Sequence, residues 1–438
     1  MFETVRNAFR VKDIRNRLLF TLLALVIIRL GCELPIPGFD RDYFQQWFAQ
    51  LTGDSFNFFN AFTGGSFENM SVFALNITPY ITSSIIIQLL TIAIPALEEM
   101  QKEGEDGRKK LVSITRYVTI ALALIESTAM AIGFGRQGLL ENFNAFTVIM
   151  IICALTAGSA FLMWIGEQIT EYGVGNGISI VLTINIISRT PDDMTGLFTM
   201  FVQGKAIAFA ILSAVVILAV ILLTVVLTIL LNDAERRIPV TYAKKMQGRK
   251  MLGGNSTHIP LKVNTGGVIP IIFASSLMEF PVVIAQLLGN NGGTTAWGQI
   301  LRTLSSSNWF KPATPVYSIG VIIYIVLVVF FAYFYTSITF NPLEVADNMK
   351  KQGGFIPGIR PGKPTSDYLS KILNYIIFIG AVGLIIVAII PIFFNGVFNA
   401  GVSFGGTSLI IIVGVILETI KQVESQMVVR NYKGFLNS

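Results

Sequence analysis

Side chains capable of catalysis are scarce in this 438-residue sequence, and their spacing argues against most chemistry. His258 is the single histidine and stands in a polar loop, with no carboxylate or thiol at triad or ligand spacing, so it reads as a solvated loop residue. The two cysteines, Cys32 and Cys153, are far apart in sequence, which supplies neither a disulfide framework nor a four-ligand metal site. Glycine-rich pieces such as Gly173–Gly177 and Gly253-Gly254 lack the lysine-hydroxyl ending of a phosphate-binding loop and read as turns between helices. Within apolar runs the ionisable groups are chiefly Arg29, Glu126 and Glu279, well separated along the chain. A pump or ion-coupled transporter places paired charges near mid-membrane, and no such pair stands out. Arg29 and Glu279 are close enough to span ends to stay wet. Glu126 is left as either a functional charge or a neutral carboxyl hydrogen-bonded between helices. No cofactor, no metal and no enzymatic activity are expected, and any energy source must be external.

The elements that would position such residues are membrane helices. A composition 53% hydrophobic and 13% charged, with mean hydropathy +0.66, cannot be buried in one soluble core. Apolar runs that read as membrane spans fall at roughly 18–34, 73–95, 111–135, 146–167, 178–189, 206–231, 267–289, 317–340, 371–394 and 407–421, the fifth and tenth being the shortest. The predicted class is therefore all-α, a polytopic membrane protein with ten transmembrane helices. The first 17 residues carry mixed charge and no small-residue cleavage site follows, so the first span is expected to be retained. With the N-terminus cytoplasmic, 25 of the 32 Lys and Arg residues fall in cytoplasmic segments, and ten spans return the C-terminus to the same side.

Three features carry mechanism. The segment at about 53–72 is aromatic, glycine-broken, too short to span and too apolar to float in water. It fits a re-entrant piece capping a cavity, with an amphipathic segment on the outer leaflet as the alternative. Second, Ile77–Ser84 and Val268–Ser276 resemble one another, each with a proline, isoleucines and a serine pair on the second span of its half. Opposite chain directions make this the pattern of an inverted repeat of five plus five spans, divided as 1–190 and 191–438. Third, the cytoplasmic loops at about 232–266 and 341–370 are longer than connectors require and rich in Lys, Arg, Gly and Pro. Function tends to sit on such loops, which favours a docking surface over charge that merely sets topology.

The sequence resembles the SecY family, the channel subunits of the Sec translocase, and is most similar to its Bacillus-like members. The runs that carry the resemblance are Phe62–Gly65, Ile85–Leu90, Lys102–Arg108, Gly175–Ser179, Arg236–Val240, Phe273–Ser276, Pro357–Gly362 and Phe404–Ser408, spread over essentially the whole chain. The resemblance implies an hourglass pore that conducts unfolded polypeptide across the plasma membrane and releases membrane helices sideways into lipid. Its narrowest ring would be Ile77 and Ile81 on span two, Ile178 and Leu182 on span five, Ile272 on span seven and Ile411 on span ten. Leu182 departs from the isoleucine common in the family. Phe62, Thr63, Gly64, Gly65, Ser66, Phe67, Glu68 and Asn69 would be the plug. Spans two and seven would form the lateral gate, with Thr82, Ser83, Glu126, Ser275 and Ser276 along it, although a third polar gate position is Phe280 here. Arg236, Arg237, Lys244, Lys245, Arg249, Lys250 and Arg360 would dock the ATPase motor SecA or the ribosome. SecE and SecG would be companion subunits, and signal sequences and nascent chains the clients. Two other classes stay open at this point: a secondary transporter with inverted repeats, and a membrane-embedded protease.

Overall fold

A computed structural model describes residues 9, 11–41, 43–46, 63–242, 245–247, 250–252, 256–287, 295–312, 314–398 and 406–436. Ten long helices cover the ten predicted spans in order. They are α1 (Lys12–Cys32), α2 (Thr78–Ala93), α4 (Glu105–Arg136), α5 (Ala145–Tyr172), α6 (Gly177–Phe201), α7 (Ile207–Asp233), α8 (Ile269–Leu287), α10 (Ile319–Thr339), α12 (Lys363–Phe398) and α13 (Gly406–Leu436). Among the described residues, shorter helices between them include α3 (Pro95–Lys102), α9 (Ala296–Leu304) and α11 (Pro342–Lys351). Five helical stretches are long and apolar enough to cross a membrane unaided, among them α4, α5 and α7, and the bent pair α2 and α3 makes a sixth. The other helices carry more charge or are shorter.

Local sequence sets several boundaries. Pro79 sits in the first turn of α2, where a missing N–H costs nothing. Pro95 forces Ile94 into extended backbone and turns the chain by 101° between α2 and α3. Asn176 caps α6, its side chain accepting a hydrogen bond from Ser179 N at 3.4 Å, and Asn341 caps α11 in the same way through Leu343 N at 3.1 Å. Two expectations on boundaries need correction. Span two was placed from residue 73, yet the helix begins at Thr78, because residues 71–77 are wound in turns. Span five was ended at 189, whereas α6 runs on through Pro191 to Phe201.

The packing repeats. In the first set α4 packs on α5, α2 on α4, α5 on α6, and α1 on both α5 and α6. In the second set α10 packs on α12, α8 on α10, α12 on α13, and α7 on both α12 and α13. Pairing the sets span by span maps each contact of the first onto one of the second. Each set holds five spans, an odd number, so the second enters the membrane from the side opposite to the first, and the halves are pseudo-symmetric and inverted. Between the sets α6 packs on α13, and α4 touches α8.

Outside the helices the two long loops are one folded unit. Strand β1 (Glu235–Tyr242) pairs antiparallel with β4 (Ser256–Lys262) on one edge and with β5 (Gly354–Phe355) on the other, while β2 (Lys245–Gln247) and β3 (Lys250–Leu252) form a separate hairpin. Ile238, Val240 and Leu261 pack with Met349, Ile356, Leu369 and Ile372 in a small core beneath the sheet. These strands are absent from the sequence reading.

Candidate functional site

Within the first helix set lies an irregular, tightly held stretch, residues 63–77. From Thr63 onward the chain makes successive turns instead of a helix, with Thr63, Ser66, Phe67, Met70, Ser71 and Phe73 to Ile77 all buried. Irregular backbone at this depth must find its hydrogen bonds within the protein. It does so in two ways. Turn bonds join Ser66 N to Thr63 O, Asn69 N to Gly65 O, Ser71 N to Ser66 O and Asn76 N to Phe73 O. A short bridge to the chain after α1 joins Ile36 N to Met70 O at 3.0 Å and Val72 N to Leu34 O at 2.9 Å.

The segment is keyed to the middle of α6. Arg189 Nη1 reaches Glu68 Oε2 at 2.6 Å, and Asn185 Nδ2 donates to Asn76 Oδ1 at 3.0 Å. Arg29 Nη1 donates to Gly64 O at 3.4 Å, and Ser159 Oγ on α5 donates to Asn76 O at 3.1 Å. Gly64, at φ +64°, lies so close to α6 that a Cβ would stand 2.7 Å from the Asn185 carbonyl oxygen. Above it a cage of edge-to-face phenylalanines, Phe39, Phe44, Phe67 and Phe134, seals the segment against the outer end of α4. Residues 63–77 are thus enclosed by protein, as a re-entrant segment requires; residues 53–62 of the expected stretch, Phe62 among them, lie outside the described residues.

Directly behind it lies an apolar cluster that holds four of the six ring candidates: Ile77, Ile81, Ile178 and Leu182, with Phe73, Ile169 and Val181. Ile272 is half-buried in the first turn of α8 and Ile411 is buried near the start of α13, both in the second helix set. Every one of the six stands at the cap or in the first two turns of its helix.

The gate candidates do not share one cluster. Thr82 Oγ1 donates to its own helix, to Thr78 O at 3.1 Å. Ser83 is fully buried and donates to Thr115 O on α4 at 2.8 Å, which ties α2 to α4 instead of facing α8. Ser275 is buried and Ser276 half-buried on α8, and Phe280 is exposed. Glu126 is half-buried on α4 without a hydrogen-bond or ion-pair partner among the described residues. Across the seam, Ile85 of α2 packs against the core of the second set beside Ile271 and Ala274.

The docking candidates lie on the folded loop unit. Arg236 and Arg237 are exposed on β1, the latter held by Glu235 at 2.6 Å. Arg360 is exposed in a turn between Gly358 and Gly362, both at positive φ, and its carbonyl accepts Thr365 Oγ1 at 2.8 Å. Lys245 and Lys250 are on β2 and β3; Lys244 and Arg249 lie outside the described residues.

Sequence reasoning missed Asn76, Asn185 and Arg189, which hold the central segment. A signal was present: Asn185 and Arg189 are four apart on one helix face, polar positions at the end of an apolar run.

The SecY family model matches residues 71–420. A protein translocase subunit SecY of Halalkalibacterium halodurans is 43% identical over the full length of both chains. A solved protein-conducting channel superposes on 94% of this chain and 93% of its own with a TM-score of 0.62 at 17% identity. Sec61 from a canine ribosome-channel complex of the endoplasmic reticulum covers 94% and 93% with a TM-score of 0.59 at 16% identity. A chain matched by the family model over most of its length, and by a full-length relative at this identity, belongs to the SecY family, a family of multi-pass membrane translocase subunits.

Proposed function

We propose that the chain is the channel subunit of a Sec translocase, conducting unfolded preproteins across the plasma membrane and releasing membrane helices into lipid. What supports this is the pair of inverted five-helix sets, in contact through α6 and α13, with residues 63–77 enclosed beside the apolar cluster of Ile77, Ile81, Ile178 and Leu182. Branched aliphatic side chains there dewet, offer ions no ligand and yield to any polypeptide without sequence preference. Ile77, Ile81, Ile178, Leu182, Ile272 and Ile411 act as the gasket, and the segment from Phe62 to Asn69 as its plug.

Opening toward lipid occurs between α2 and α8. Thr82, Ser83, Glu126, Ser275 and Ser276 line this seam on the proposed reading, with Ser83 acting through α4. The proposed halves are 1–190 and 191–438, with α6 continuing through residue 190 to Phe201 and packing on α13. Both termini are cytoplasmic, as the concentration of basic residues requires. The folded loop unit presents Arg236, Arg237, Lys244, Lys245, Arg249, Lys250 and Arg360 to SecA or the ribosome, for which a basic, rigidly held tip suits acidic protein or RNA. SecE and SecG complete the complex. The chain catalyses no reaction; SecA or translation supplies the work.

Site-specific photocrosslinking from Ile81, Ile272 or Ile411, during SecA-driven export of a jammed preprotein in reconstituted membranes, tests the reading. Crosslinks to the moving chain are expected from all three. Their absence while the preprotein is demonstrably jammed would remove the ring.

A further inference from the structure

Helix α9 (Ala296–Leu304) stands apart from the junction, between the end of α8 and the start of α10, on the membrane face opposite the basic loops. Its inner side is settled: Leu301 packs with Val282 and Ala285 of α8, and Leu304 borders the same cluster. Its C-terminal end is wedged against the following span, since a Cβ on Gly320 would stand 2.0 Å from Thr303 O. The helix is thereby fixed at the level where two membrane spans end.

Its apolar arc is wider than the protein covers. Trp297 and Ile300, three residues apart and so on one side of the helix, remain 51% and 50% exposed. At 100° per residue they flank the direction of Leu304 and continue the packed face, while Gln299 and Arg302 point the opposite way and are exposed. The helix contacts the turn Pro315–Ser318, where Val316 is 68% exposed at the beginning of the lipid-facing surface of α10. An exposed tryptophan and isoleucine that continue a lipid-facing band, with an arginine on the water side, are the composition of an interfacial anchor.

We propose that α9 lies in the headgroup layer of the bilayer, with Trp297 and Ile300 in the acyl boundary, and moors the end of α8 to the lipid surface. The occupant of this face is phospholipid, not another protein chain. The anchor requires no particular account of the pore, so its failure and that of the channel reading are separable.

The test uses the chain in its complex, reconstituted in nanodiscs with or without phosphatidylcholine brominated on its acyl chains. Tryptophan emission is compared between the parent and Trp297→Phe. The expected result is that the component lost in Trp297→Phe is quenched by brominated lipid and spared by aqueous iodide. Quenching by iodide with none by brominated lipid would place α9 in water, and protection from both would mean that protein covers it; either overturns the proposal. Should Trp297→Phe fail to assemble, a nitroxide on Ile300→Cys in a chain with Cys32 and Cys153 replaced by Ser gives the same decision. Greater access for oxygen than for a water-soluble nickel chelate supports the anchor, and the reverse overturns it.

Discussion

Residues 63–77 and the paired loops beneath α7 and α12 are both irregular chain between helices, and they satisfy the same backbone demand in opposite ways. The loops, facing water, join strands of different segments, and β1 lies between β4 and β5 with its polar face wet. The central segment cannot use water. Its N–H and C=O groups are met by its own turns and by side chains of α1, α5 and α6 at fixed positions. A sheet surrounded by water tolerates variation in its edges, whereas a buried knot of turns depends on a few exact approaches.

Removing residues 63–69 should separate the two regions most strongly. Loss of the stopper should raise the resting ion conductance of planar bilayers containing the complex at least about tenfold, the equivalent of roughly 1.4 kcal/mol of lost closure, and unchanged conductance would deny the segment a sealing role. Next in size, Ile356→Ala opens a cavity in the core under the sheet. It should cost about 2–4 kcal/mol in the loop unit, seen as faster hydrogen exchange of β1, β4 and β5, with conductance unaltered. A leak in that variant would show that the two regions are not independent.

Gly64→Ala tests the close approach to α6. With φ at +64° and the Asn185 carbonyl in the way, it should cost about 1–3 kcal/mol and lower the thermal midpoint of the complex in detergent. The smallest effect belongs to Glu68 and Arg189. Their pair is partly exposed, so a double-mutant cycle with Glu68→Gln and Arg189→Gln should return a coupling of about 0.5–1 kcal/mol.

The spans were legible because lipid demands runs of apolar residues, and runs survive in one sequence without further context. Phe73 to Ile77 were equally apolar and were read as helix for that reason. Apolar content reports burial, and here protein rather than lipid does the burying, which leaves backbone conformation free to be irregular, as Asn76 at φ +52° shows. The strand β1 was hidden for a related reason. Its alternation is confined to Ile238 and Val240 around Pro239, its nearer partner β4 also carries a proline at Pro260, and its other partner β5 is more than a hundred residues away. The apolar run of span five ends at 189, but the helix accommodates Pro191 and continues to Phe201. Of the candidate site, the apolar ring positions stood out by resemblance alone. Of the polar contacts that fix the central segment, only Asn185 and Arg189 share a helix face and leave a trace in sequence; Arg29 and Ser159 are single side chains on separate helices.

One consequence of the loop pairing is mechanical. Thr241 and Tyr242 are bonded to Phe355 and Gly354, and the core below them includes Leu369 and Ile372 on α12. Neither loop can then be displaced alone. A thrust on the turn that carries Arg360 is borne by β1 as well and passes down α12 into the second helix set, so whatever leans on this face pushes on a lever rather than on a tether.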